Sequence, residues 1–155
     1  METGLLHLHN LLRWVILVLL ILSIYRAYAG SKSNKTFAAS DKKTWLFTMI
    51  AAHTTLLLGL YQWTLGRFGL FTYVKPEGVS MMKDPTLRFF QMEHPIMMIL
   101  SVLFITLGYG MAKKDISDDI MYKKAFRYFT IALVLILVAV PWPFRQIGRP
   151  WFPGM

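Results

Sequence analysis

The stretch VILVLLILSIY, residues 15–25, is almost wholly apolar and forms the centre of a longer apolar segment, residues 5–28. Three further segments have the same character: residues 44–65, 87–111 and 122–140. A helix needs roughly 20 mostly apolar residues to cross the hydrocarbon core of a bilayer. The sequence therefore predicts an all-α integral membrane protein, a single domain over residues 1–155 whose four spans form an up-down four-helix bundle.

Composition excludes several classes of protein. Of the 155 residues, 55% are hydrophobic and only 16% are charged, which rules out a disordered chain. The chain has no cysteine, so a disulfide-stabilised fold and a cysteine-ligated zinc or iron–sulfur site are also ruled out. The net charge of +9 would indicate nucleic acid in a soluble protein. Beside four apolar segments it indicates a membrane protein instead, with no nucleic-acid partner.

The distribution of basic residues predicts the orientation in the membrane. The first and third loops hold ten of the seventeen: Arg26, Lys32, Lys35, Lys42, Lys43, Lys113, Lys114, Lys123, Lys124 and Arg127. The second loop and the C-terminal tail hold six: Arg67, Lys75, Lys83, Arg88, Arg145 and Arg149. Cytoplasmic loops carry the excess of basic residues. We therefore expect a multi-pass protein of the bacterial inner membrane with both termini on the outer side.

The ends of the apolar segments carry further signals. Ser40 and Asp41 are expected to cap the second helix. Asp84 and Pro85 precede the third, and Pro85 suits its first turn. Residues 27–29, Ala-Tyr-Ala, match the cleavage pattern of a signal peptide, but no basic residue precedes Arg13. A retained first helix is therefore expected.

All four histidines lie in or at the ends of predicted helices. At about 1.5 Å per residue, His9 and His94 have similar depths near the outer side. Helices one and three are diagonal in an up-down bundle, and a planar macrocycle fits between them with one imidazole on each face of its iron. We expect His9 and His94 to bind a haem b, with His53 and His94 as the alternative pair. His53 is otherwise expected to bridge helices, and His7 to face the interface.

Arg13 follows His9 by four residues, so both lie on one face of the first helix. It is expected to bind a haem propionate or Glu93, or else to extend to the outer headgroups. Glu93 is the only acid well inside a predicted span, and its role stays open. Three more arginines on the outer side are expected to bind propionates or lipid phosphates: Arg88, Arg145 and Arg149.

The stretch QMEHPIMM, residues 91–98, combines a proline with possible metal ligands. Pro95 lacks an N–H, so the carbonyl of Gln91 loses its helical partner and a kink beside His94 is expected. A neighbouring side chain or water would then satisfy that carbonyl. The tail, residues 141–153, is expected to anchor at the outer interface or to cover an outer-side site. Methionines near the kink offer soft ligands for copper(I): Met92, Met97 and Met98.

Five motifs lie in or beside the predicted helices: HNLLRW (9–14), AAH (51–53), LRFF (87–90), EHPIMM (93–98) and PWPF (141–144). With them, essentially the whole chain resembles a bacterial family of small four-helix membrane proteins commonly labelled cytochrome b. The resemblance implies a haem b held by histidines, and it makes His9, His53 and His94 the positions to test.

The sequence thus predicts an inner-membrane b-type cytochrome with one bis-histidine haem. We expect an electron-transfer protein rather than a stand-alone enzyme, because two axial histidines leave no open position on the iron. Its expected partners are the lipid bilayer and either a quinol or a redox membrane complex, and oligomerisation stays open. Two alternatives remain: a cofactor-free accessory or scaffold subunit of a larger membrane complex, and a copper-handling membrane protein.

Overall fold

The computed structural model describes residues 2–33 and 35–152, and every regular element within these ranges is a helix. A π-helical turn, Phe89–Glu93, joins α3 to α4, and a 3₁₀ turn, Met111–Lys113, follows α4. The all-α prediction is therefore confirmed for the described residues, which form four long helices. The α-helices in chain order are α1 (Glu2–Ser33), α2 (Ala39–Leu65), α3 (Pro85–Arg88), α4 (His94–Gly110) and α5 (Asp118–Ala139).

Three of the long helices have the length and hydropathy to cross a bilayer: Thr3–Ser33, Ala39–Leu65 and Pro85–Lys113. The fourth predicted span, residues 122–140, coincides with most of α5. Basic side chains occupy the first half of α5, so only residues 128–139 form a stretch without charge. The prediction of four spans is thus confirmed for three helices in the described part of the chain. The basic residues of α5 are Lys123, Lys124 and Arg127.

The predicted position of Pro85 in the first turn of the third helix is confirmed, whereas the predicted cap of the second helix is wrong. The Asp84 carboxylate accepts hydrogen bonds from the backbone N–H groups of Thr86, at 2.8 Å, and Leu87, at 2.9 Å. Helix α2 instead begins at Ala39, and no side chain caps its N-terminus. Asp41 lies inside the helix and is 2% exposed, because its carboxylate binds side chains of other segments.

The long helices contact one another in a ring, with α1 and α4 each packed against both α2 and α5. Contacts between α1 and α2 join opposite ends of the two helices. Gln62 donates to the carbonyl of Leu5 at 3.1 Å, whereas Arg26 meets Asp41 at 3.0 Å. Neighbouring helices α1 and α2 are therefore antiparallel, which brings the start of α1 beside the end of α2.

Two glycines let aromatic rings of α5 lie against helix backbones. Gly30 of α1 faces the ring of Tyr122, and Gly108 of α4 faces the ring of Phe129. A Cβ atom at either glycine would overlap the ring, so larger residues there would push α5 away. The small residue Gly108 thus allows close packing of α4 and α5, whereas open space surrounds Gly110.

The buried carboxylate of Asp41 joins α1, α2 and α5 at the end of the molecule opposite the start of α1. It accepts hydrogen bonds from Tyr122 Oη at 2.7 Å and Arg26 Nη1 at 3.0 Å. Lys35 Nζ lies 3.5 Å from its second oxygen. A buried charge is costly unless it is paired and hydrogen-bonded. These partners offset the cost of burying Asp41, and they fix the three helices relative to one another.

We expect Asp41→Asn to lower the free energy of unfolding by about 1–3 kcal/mol, because charged hydrogen bonds are lost in a buried site. Asp119→Asn is the matched control. Its ion pair with Lys123 lies on the surface and contributes less than about 1 kcal/mol. Unfolding of the purified protein in detergent measures both changes. Equal losses in the two variants would contradict a special role for Asp41.

Candidate cofactor-binding site

A cavity of about 440 Å³ lies between α1, α2, α4 and α5, and the loop after α2 and the C-terminal tail also line it. Cofactor-binding cavities typically measure about 300–1,000 Å³ and are mostly apolar with a few placed polar groups. This cavity has that character. Its polar lining includes His9, Asn10, Arg13, Gln62, Arg67, His94 and Arg149.

Two imidazoles face each other across the diagonal of the helices. His9 lies on α1 and His94 begins α4, and both line the cavity. Their ring centroids are 6.3 Å apart, with 68° between the ring planes. The structure therefore brings together the pair that the depth argument predicts, although 85 residues separate them along the chain.

A hydrogen bond fixes the orientation of His94. Its Nδ1–H donates to the carbonyl oxygen of Ala139, the last residue of α5, at 2.8 Å. A carbonyl can only accept, so Nδ1 carries the proton. In a neutral ring Nε2 then has a free lone pair, as in metal-binding histidines whose other nitrogen is held by a carbonyl. The hydrogen bond thus fixes Nδ1 as the protonated nitrogen and leaves the Nε2 lone pair free.

His9 fits beside a glycine of α2. A Cβ atom at Gly59 would lie 3.3 Å from His9 Cε1, so a larger side chain there would displace the imidazole. His9 Nδ1 is buried and has no hydrogen-bond partner among the described residues. A buried polar nitrogen without a partner costs free energy, and it is the kind of group that a bound ligand satisfies.

The helical turn just before His94 contains one residue more than a turn of α-helix. The N–H of His94 bonds to the carbonyl of Phe89, five residues earlier, which makes this turn π-helical. Pro95 leaves the carbonyl of Gln91 without a helical donor. Trp63 Nε1 of α2 donates to that carbonyl at 2.9 Å. The predicted distortion is confirmed, and it takes the form of a π turn whose free carbonyl is satisfied by a neighbouring helix.

Prolines after α5 free two more carbonyls in the same way. Pro141 and Pro143 cannot donate to the carbonyls four residues earlier, which belong to Leu137 and Ala139. Trp142 Nε1 donates to the Leu137 carbonyl at 2.8 Å, and His94 Nδ1–H donates to the Ala139 carbonyl. The proline spacing of the tail thus leaves open the acceptor that orients His94.

Arg13 links the cavity wall to the C-terminal tail. It is 8% exposed, and its Nη2 donates to the carbonyls of Trp151, at 2.8 Å, and Pro150, at 3.3 Å. Its Nε has no partner within the described ranges. The expected contact with Glu93 is not formed, because Glu93 pairs with Arg88 at 2.7 Å. Burial beneath the tail also keeps Arg13 from extending to headgroups.

The tail folds back over α1 and closes one side of the cavity. Trp14 Nε1 donates to the Trp151 carbonyl at 2.9 Å, and the Trp14 ring stacks on Trp151 with centroids 6.1 Å apart. Pro141 and Arg149 of the tail line the cavity. The tail therefore covers the cavity. This was one of two expectations from its sequence, and the other was an anchor at the membrane interface.

Three of the other expected ligands do not line the cavity: His53, Met92 and Met97. His53 is exposed, its Nδ1–H donates to the Met49 carbonyl of its own helix at 2.9 Å, and it is not among the lining residues. Met98 lines the cavity. Within residues 2–33 and 35–152, no three or more His, Asp or Glu side chains form a cluster that could hold a metal ion. A site for metal here would rest on the two facing histidines.

Sequence reasoning missed Arg67 as a site residue. It lies in the loop after α2, and in the sequence it is only one of the basic loop residues that indicate the orientation in the membrane. The fold of the loop brings it to the cavity wall beside Arg149 of the tail. No motif marks such a pair, because the two residues belong to irregular segments that meet only in the tertiary structure.

No family model, curated protein or solved structure matches this chain. The likeness to small membrane proteins labelled cytochrome b therefore remains an expectation from sequence motifs. The cavity and its side chains are the basis for inferring a function.

We expect Arg13→Met to release the tail, because two hydrogen bonds to its carbonyls are lost from a buried position. Amide exchange in residues 141–152 should rise about tenfold or more, as local opening becomes easier. Hydrogen–deuterium exchange with mass spectrometry in nanodiscs measures this. Arg127→Met, on the exposed face of α5, is the control. Unchanged exchange in Arg13→Met would show that other contacts hold the tail.

Proposed function

We propose that this protein is a b-type cytochrome of the bacterial inner membrane that holds one haem b between His9 and His94. The observation that carries the proposal is the facing pair of imidazoles, with centroids 6.3 Å apart inside a largely apolar cavity. Two imidazoles bonded to one metal ion at about 2 Å per bond have centroids roughly 6 Å apart. The observed spacing matches that requirement.

The surroundings of the pair also suit a haem. The cavity wall is mainly apolar, as the macrocycle requires, and arginines line it for the carboxylate groups. His94 has the hydrogen bond that orients an axial ligand, and the unpartnered Nδ1 of His9 is buried in the same wall. His53 is exposed and does not line the cavity, which favours His9 over His53 as the second ligand.

A haem with two histidine ligands transfers single electrons and has no open coordination position for oxygen. The protein's part is to hold two imidazoles, exclude water with the tail, and place arginines near the edge of the cavity. The bilayer surrounds the helices, and a quinol or a redox membrane complex would supply or accept the electrons.

Absorption spectra test the haem directly. Protein purified from haem-sufficient cells should show a Soret band and low-spin α and β bands. His9→Ala and His94→Ala should each lose the low-spin spectrum, because one axial ligand is removed. His53→Ala, a histidine outside the cavity, should keep it.

A colourless preparation of the unaltered protein would overturn the haem proposal. If the protein were then found only within a larger assembly, a scaffold subunit would be favoured. Stoichiometric copper without iron would favour copper handling instead. A low-spin spectrum that survives His9→Ala but not His53→Ala would move the second ligand to His53.

We further propose an up-down arrangement in the membrane with both termini and the cavity on the outer side, as the basic residues of loops one and three indicate. The chain has no cysteine, so single cysteines can be labelled without background. In spheroplasts, Lys75→Cys should react with an impermeant maleimide, and Lys114→Cys should react only after lysis. The reverse pattern would contradict this orientation.

A further inference from the structure

We propose that Arg67 and Arg149 form a binding site for paired anionic oxygens at the edge of the cavity, filled by the two propionates of the haem. This inference rests on the proposed function, because it assigns the ligand's carboxylate edge to a particular part of the cavity. Of the arginines at the cavity end of the protein, Arg67 and Arg149 are the two assigned to the propionates.

The guanidinium groups of both arginines lie near the ring of Phe68. Arg67 Cζ lies 5.6 Å from the ring centroid of Phe68, and Arg149 Cζ lies 6.0 Å from the same centroid. Arg149 also lies 5.2 Å from the ring of Phe90. Both arginines line the cavity.

No carboxylate in the described ranges pairs with either arginine, since each ion pair there joins other residues. Burial, and after it the charge of Arg67, lowers the pKa of Arg149. Arg149 is half-buried and Arg67 is exposed. Their two positive charges repel each other, which costs free energy. An anion placed between them would remove that cost.

The other arginines on this side already have partners. Arg88 donates to Glu93 and to the Met82 carbonyl. Arg145 donates to carbonyls at the end of α5, and Arg13 donates to the tail. Arg67 and Arg149 make no side-chain hydrogen bond to the described residues, so their planar donor groups remain available.

Arginine binds carboxylates through two parallel hydrogen bonds, and a pair of arginines suits a ligand with two carboxylates on one edge. Haem b has that form: an apolar macrocycle with two propionates side by side. The apolar wall near His9 and His94 would take the macrocycle, and the arginine pair would take the propionates. A lipid phosphate offers the same charge, so the test must separate the two sources.

The test compares haem b with haem b dimethyl ester, whose propionates carry no charge. Each is titrated into haem-depleted full-length protein in nanodiscs, and binding is followed by the Soret band. The unaltered protein should bind the free acid about 10–100-fold more tightly, the amount expected for charged hydrogen bonds. The double variant Arg67→Gln with Arg149→Gln should lose most of this preference.

Three controls sharpen the result. Arg67→Lys with Arg149→Lys keeps the charge and should retain part of the preference. Arg127→Gln removes an exposed arginine from the other end of the protein and should change nothing. Nanodiscs of phosphatidylcholine alone or with phosphatidylglycerol separate lipid from haem, because propionate binding should give the same preference in both.

The outcomes are distinct. Loss of the preference in the double glutamine variant, with the low-spin spectrum retained, supports the inference. Haem binding with no preference, or with a preference that the double variant keeps, overturns the inference and leaves the proposed function standing. A preference that disappears in phosphatidylglycerol assigns the arginines to lipid and also overturns it. No haem binding at all overturns both proposals.

Discussion

The hydrogen bond from His94 Nδ1–H to the carbonyl of Ala139 fixes the arrangement on which the cavity depends. It joins the start of α4 to the end of α5 at 2.8 Å and sets which imidazole nitrogen carries the proton. The acceptor is free because residue 143, four positions on, is a proline without an N–H. The end of one helix thus supplies the contact that orients a side chain of another.

The same physical rule recurs elsewhere in the molecule. Pro95 frees the Gln91 carbonyl for Trp63, and Pro141 frees the Leu137 carbonyl for Trp142. An unpaired carbonyl in apolar surroundings costs free energy, so each break must be satisfied by a side chain from outside that turn. Prolines that interrupt single helices therefore help to hold different segments together around the cavity.

The two ends of the helix assembly use polar groups differently. At one end, the carboxylate of Asp41 is surrounded by Tyr122, Arg26 and Lys35, and its charge is paired. At the other end, Arg67 and Arg149 have no acid partner among the described residues, and His9 Nδ1 is unpartnered. The first end stabilises the fold, whereas the second has the unmet charge and hydrogen-bonding capacity of a ligand site.

Composition and spacing by themselves determined the helical class, three of the spans, the helix start at Pro85 and the distortion near Pro95. These features depend on residues close in sequence, where apolar length and missing N–H groups act directly. Similar depth also predicted the meeting of His9 and His94. The capping role given to Asp41 was wrong, because its partners Arg26 and Tyr122 come from other helices. Only the tertiary structure decided the partner of Arg13, the exposed position of His53 and the pairing of Arg67 with Arg149, since each depends on how the helices, the loop and the tail pack together.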